Sequence, residues 1–99
     1  MPIGNPSQSR IHKDRAERQL AEAREALGDT RRACPVAYRG LLRAHEALTA
    51  AWVHVGAMAE NTPRDRRNKG ELQRAHRDLW RAFKRDRTAF GDRCVLSDT

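Results

Sequence analysis

The sequence has no long hydrophobic run. Its longest mostly apolar stretch, Leu48 to Ala59, is interrupted by Thr49, His54 and Gly56, well short of the roughly 20 apolar residues that a membrane-spanning helix requires. Nothing in it resembles a signal peptide, so the expectation is a soluble chain with no membrane partner. Alternation of apolar β-branched residues is also missing, and the six Gly and four Pro cluster near the N-terminus and at two internal points, which argues against a sheet. Only two cysteines are present, Cys34 and Cys94, without a CxxC or CxxH spacing, which speaks against a structural zinc site. HExxH, a paired acidic motif and a Gly-rich phosphate loop are all lacking. With 99 residues, 38% of them hydrophobic, the chain buries a thin core with little room for an enclosed pocket. The expectation is a non-enzymatic protein with no cofactor, no metal and no small-molecule substrate.

What the chain has in excess is positive charge, and nearly all of it is arginine. The net charge is +7 and 17 of the 20 basic residues are Arg, leaving Lys13, Lys69 and Lys84. Arg makes bidentate contacts to phosphate and carboxylate that Lys cannot make, so one reading is selection for an anionic partner. The other is a genome rich in G and C, whose codons inflate Arg and Ala together. Composition leaves both open.

Periodicity predicts an all-α fold: a long antiparallel hairpin with an additional N-terminal helix, as a three-helix bundle or an open hairpin. Met1 to Ser9 reads as an irregular arm, and residues 10–99 as a single helical domain with helices over about 10–27, 35–59 and 66–90. In the first helix Ala16, Leu20, Ala23 and Leu27 share a face, and Gly28 supplies the stop. Pro35 suits the first turn of the second helix, whose stripe Tyr38, Leu41, His45, Leu48, Trp52, Val55 recurs at heptad spacing. Leu42, Ala44, Ala51 and Met58 broaden that stripe, while Gly40, Ala47 and Ala50 would let another helix approach closely. Glu60 to Pro63 reads as a turn. The third helix, starting between Asp65 and Glu71 and ended by Gly91, carries Leu72, His76, Leu79, Phe83 and Phe90 as the matching stripe. The two stripes are expected to form the packing seam of the hairpin.

An antiparallel hairpin brings Cys34, just before its first helix, and Cys94, just after its second, to the same end. They pair there as a disulfide, adding about 3 to 4 kcal/mol by the chain-entropy estimate, or remain thiols in a reducing cytosol. Asp86 falls in the apolar register of the third helix, where an unpaired carboxylate is costly, so an ion pair with Arg39 or a hydrogen bond with Tyr38 is expected. His45 and His76 lie on the apolar stripes, and His54 lies off the seam. Arg39 and His45 have the spacing of the short Arg-to-His motif of HEPN-type helical ribonucleases, a resemblance confined to those two residues, from which no activity is carried over.

Between Arg64 and Arg87 the net charge is +6, nearly the whole excess. Arg74, Arg77, Arg81 and Lys84 recur at helical spacing opposite the apolar stripe, and Arg64, Arg66, Arg67, Lys69 and Arg85 extend the cationic surface. Such a face could contact phosphates of a nucleic acid without sequence specificity, or dock on an acidic protein surface. Polar arms such as Met1 to Ser9 and Val95 to Thr99 fray unless something holds them. In general character, a small Arg-rich helical hairpin with polar arms resembles accessory structural proteins of bacteriophage particles. That resemblance implies a structural or adaptor role among other protein subunits of a capsid, connector or tail, in a virion or in the host cytoplasm. The alternative is a nonspecific nucleic-acid-binding or packaging protein using the Arg face.

Overall fold

A computed structural model of the chain describes residues 6–94, with side chains from Ser9. Expectations for residues 1–5 and 95–99 lie outside these described residues. The element order is α1 (Pro6–Leu27), α2 (Cys34–Gly56) and α3 (Pro63–Cys94). The fold is all-α, and successive helices pack antiparallel in a bundle of 58 × 18 × 17 Å.

Each helix departs from its expected bounds for a local reason. α1 begins at Pro6, four residues before the expected start, so residues 6–9 are helix and not arm. Proline's fixed φ and missing N–H suit a first helical turn. Ser9 ties this end to the α2–α3 turn, because its Oγ accepts a hydrogen bond from the Ala59 amide at 2.9 Å. α1 closes with amide-to-carbonyl bonds from Gly28 to Glu25 and from Asp29 to Ala26, at 3.0 and 3.1 Å, which satisfy carbonyls left over at a helix end. α2 stops at Gly56, not Ala59. α3 starts at Pro63 because Thr62 and Asp65 form a reciprocal cap: the Asp65 amide donates to Thr62 Oγ1 at 3.0 Å and the Thr62 amide to Asp65 Oδ2 at 3.3 Å. At its other end α3 runs through Gly91 to Cys94.

The end of α3 is held by covalent and polar links to the α1–α2 connection. Cys34 and Cys94 form a disulfide with their Cα atoms 5.8 Å apart. Arg93 donates from Nη2 to the Thr30 carbonyl at 3.1 Å. Asp86 is nearby, but its partner is neither Arg39 nor Tyr38. Its Oδ2 lies 2.8 Å from the buried Thr30 hydroxyl, and its Oδ1 3.5 Å from Arg85 Nε. The α1–α2 link, which hairpin geometry alone leaves out, supplies the partner of Asp86 through Thr30. The Thr30 hydroxyl is also 2.8 Å from the Leu27 carbonyl, and its one proton serves one of these two acceptors at a time.

The core consists of Leu20, Ala23 and Ala26 of α1, Leu41, Ala44, Ala47, Leu48 and Ala51 of α2, and Phe83 of α3, with Leu72, Leu79, Trp80 and Phe90 packed at its margin. α1 packs on its own chain, against a small-residue seam of α2: Ala37, Gly40, Ala44, Ala47 and Ala51, all buried. Contact is closest at Gly40, where a Cβ would stand 2.8 Å from the Ala26 carbonyl oxygen. Ala47 joins this seam as expected, whereas Ala50 is half-buried. Across the same pair of helices Arg43 reaches Glu22, Nη2 to Oε1 at 2.6 Å, and His12 Nδ1 lies 3.0 Å from His54 Nδ1.

Candidate docking groove

Because α2 gives its small residues to α1, the heptad stripe read from its sequence is shared between the α2–α3 contact and the surface. Leu41, Leu48 and Val55 are buried, and Phe83 answers them from α3. Leu72, His76, Leu79 and Phe90 of the expected seam are half-buried. Tyr38 and Trp52 are 54% and 53% exposed, and His45 is also exposed. These three are therefore not interior seam residues but the outer edge of the α2–α3 contact. Leu42, expected to broaden the core, is 49% exposed, and Val53 reaches 64%.

The displaced side chains form a second line along α2. Tyr38, Leu42, His45, Thr49, Trp52 and Gly56 follow one another at four, three, four, three and four, the spacing of a packing seam, yet α3 touches this line only along one edge and Tyr38, Leu42 and Trp52 stay about half exposed. Between Tyr38 and Gly56 this line spans roughly 27 Å at about 1.5 Å per residue. Thr49 and Trp52 of this line, with Leu48, Val53 and the facing residues Gln73, His76, Arg77 and Trp80 of α3, wall an open groove of about 550 Å³.

A ladder of rings holds the wall of the groove in shape. His76 lies between Trp52 and Trp80, with ring centroids at 4.9 and 6.3 Å, and its Nε2–H donates to the Leu48 carbonyl at 2.9 Å. Trp80 in turn packs on Phe83 at 5.3 Å and on His45 at 6.0 Å, and Tyr38 sits 6.1 Å from Phe90. His76 thus bridges α2 and α3 by both a hydrogen bond and ring contact. Arg39, the other half of the ribonuclease-like pair, is exposed, and His45 is occupied by the rings of Trp80 and Phe83 at 6.0 and 5.7 Å.

The cationic face lies beside the groove. Arg66, Arg67, Arg74, Arg77, Arg81, Lys84 and Arg85 are exposed along one flank of α3, over roughly 28 Å at about 1.5 Å per residue. Arg77 forms part of the groove wall. By helical phase Glu71 and Asp78 fall on the flank turned away from the groove, so the rim itself is basic. Arg64 is exposed at the start of the helix. Arg87 lies over the Phe83 ring, 5.5 Å from its centroid.

Lys69 does not belong to that face. It is 9% exposed, and its ammonium lies 3.4 Å from the carbonyls of Gly56 and Met58 and 3.1 Å from Glu60 Oε1. It caps the C-terminal end of α2, where unsatisfied carbonyls and the helix dipole favour a cation. A charge count in sequence cannot tell a capping lysine from a solvated one. Among the described residues no group of three His, Cys, Asp or Glu is placed to hold a metal ion, and no helix is long and apolar enough to cross a membrane. Comparison with protein-family models, with curated proteins and with solved structures found no match for the chain.

Proposed function

We propose that the protein is a non-enzymatic structural or adaptor component of a larger assembly, docking another protein subunit in the α2–α3 groove. An accessory position in a bacteriophage capsid, connector or tail fits this character. The observation that carries the reading is a buried core beside a half-exposed second line on α2. Helix α2 has already buried eight residues, including Leu41, Leu48 and Val55, yet it presents Tyr38, Leu42, Trp52 and Val53 about half exposed or more. Several large apolar side chains exposed on one helix mark an interaction site more often than scattered single residues do.

A second reading has its own support: the Arg stripe of α3, free of acidic residues on its groove side, suits nonspecific contact with a phosphate backbone. The two readings separate in one titration. Fluorescence anisotropy of a labelled random duplex is followed against protein at several salt concentrations, beside a variant with Arg74, Arg77 and Arg81 all changed to Ala. The adaptor reading expects no duplex binding at physiological salt. Tight binding with a steep salt slope that the triple variant flattens would replace it with the nucleic-acid reading.

A further inference from the structure

The adaptor reading leaves the chemistry of the partner open, and the surroundings of the groove narrow it. Its floor is apolar, with Leu48, Trp52, Val53 and Trp80. One long rim is cationic, with Arg77 in the wall and Arg66, Arg74, Arg81 and Lys84 along the exposed flank beside it. The α2 side of the groove, Leu48, Thr49, Trp52 and Val53, carries no charge. We propose that the occupant is an acidic amphipathic helix of a partner protein, with apolar side chains at i, i+3/i+4 and i+7 on the groove floor and carboxylates on the α3 rim. This rests on the adaptor reading and adds the sign of the partner's charge.

Three observations favour that occupant. The half-exposed line on α2 has heptad spacing, and a helix laid in a groove reads such a line with its own i, i+3, i+4 and i+7 positions. At roughly 27 Å the line accommodates about five turns of helix. Charge also disfavours a second copy of the same chain, because each copy brings +7 and self-docking would set two basic surfaces together. A single-stranded nucleic acid would need free aromatic faces for base stacking, whereas the rings here already lie against one another: Trp52 on His76, His76 on Trp80 and Trp80 on Phe83.

The test uses the full disulfide-bonded chain and three fluorescein-labelled amphipathic helical peptides of five turns. All three carry the same Leu positions, and their flanking residues are Glu in one, Gln in the second and Lys in the third. The Glu peptide is expected to bind about tenfold or more tightly than the Lys peptide, with Gln between, and added salt should narrow the gap. Val53→Arg blocks the groove while adding a positive charge. It should weaken the Glu peptide about tenfold although simple electrostatics predicts the reverse, and an unchanged unfolding midpoint shows that the fold is intact. Equal binding of the three peptides, lost in Val53→Arg, overturns the acidic partner and leaves the adaptor reading standing. Binding that Val53→Arg leaves unchanged overturns the groove as the site. If no peptide binds and the duplex does, the adaptor reading falls together with this inference.

Discussion

Gly40 and Gly91 are both helical glycines, and their surroundings give them opposite roles. At Gly40 a methyl group would press on the Ala26 backbone carbonyl, which has no side-chain rotation to yield with. Gly40→Ala should therefore destabilise the fold by about 1–3 kcal/mol, despite the better helix propensity of alanine. At Gly91 a Cβ meets nothing within 4 Å, and Gly91→Ala should stabilise by about 0.5–1 kcal/mol. Urea midpoints of the two variants check the pair. His54 makes a further residue-scale prediction. Its pKa is lowered from 6.5, first by desolvation, then by His12 and Arg15, and its Nδ1 contact with His12 Nδ1 requires the acceptor ring to be neutral. A depressed folded-state pKa means that the unfolded chain takes up the proton first as pH falls below 6.5. This contribution to stability is full above that value and is lost progressively below it. His54→Gln should flatten the fall of the unfolding midpoint as pH drops below 6.5, measured in urea at fixed ionic strength.

At the scale of the helices, the junctions rest on a few polar and covalent links. Lys69→Met keeps the length of the side chain but leaves the carbonyls of Gly56 and Met58 and the Glu60 carboxylate without their cation. Its expected cost is about 1–3 kcal/mol, with no change in affinity for an anionic partner, since Lys69 stands apart from the exposed stripe. Removing the disulfide by Cys34→Ser and Cys94→Ser opens a loop of sequence separation 60, and the expected loss is about 4 kcal/mol by the loop-entropy estimate. The midpoint of the double variant, compared with that of the oxidised parent, checks this. Three helices and the meeting of Cys34 with Cys94 were legible in the sequence, because apolar periodicity and hairpin geometry are enough to give them. α3 starts before the span its apolar spacing predicts, because Thr62–Pro63, which reads as a break, is an N-cap followed by proline at the first helical position. Gly91 reads as a stop, although α3 continues to Cys94, where the disulfide anchors its last residue to Cys34.

For the whole molecule, the arrangement turns on how α2 divides its surface among three directions. Its alanines and Gly40 face α1, its Leu41, Leu48 and Val55 are buried in the core, and its outer line faces solvent. Large side chains dominate an apolar stripe, so spacing alone puts Tyr38, His45 and Trp52 inside. Small residues contribute little to an apolar stripe by size, yet they allow the closest helix contact, and that contact sets the rotation of α2. The Arg stripe was legible from spacing alone, whereas the groove beside it depends on that rotation. The exposure of Trp52 in the free protein tests most directly whether the groove stands open for a partner. With Trp80→Phe leaving Trp52 as the single tryptophan, acrylamide should quench its emission readily, and equally at low and high protein concentration. Blue-shifted emission protected from acrylamide at every concentration would mean that the chain closes the groove itself. Protection that grows with concentration would mean that a second copy fills it, and either result would contradict an open docking surface.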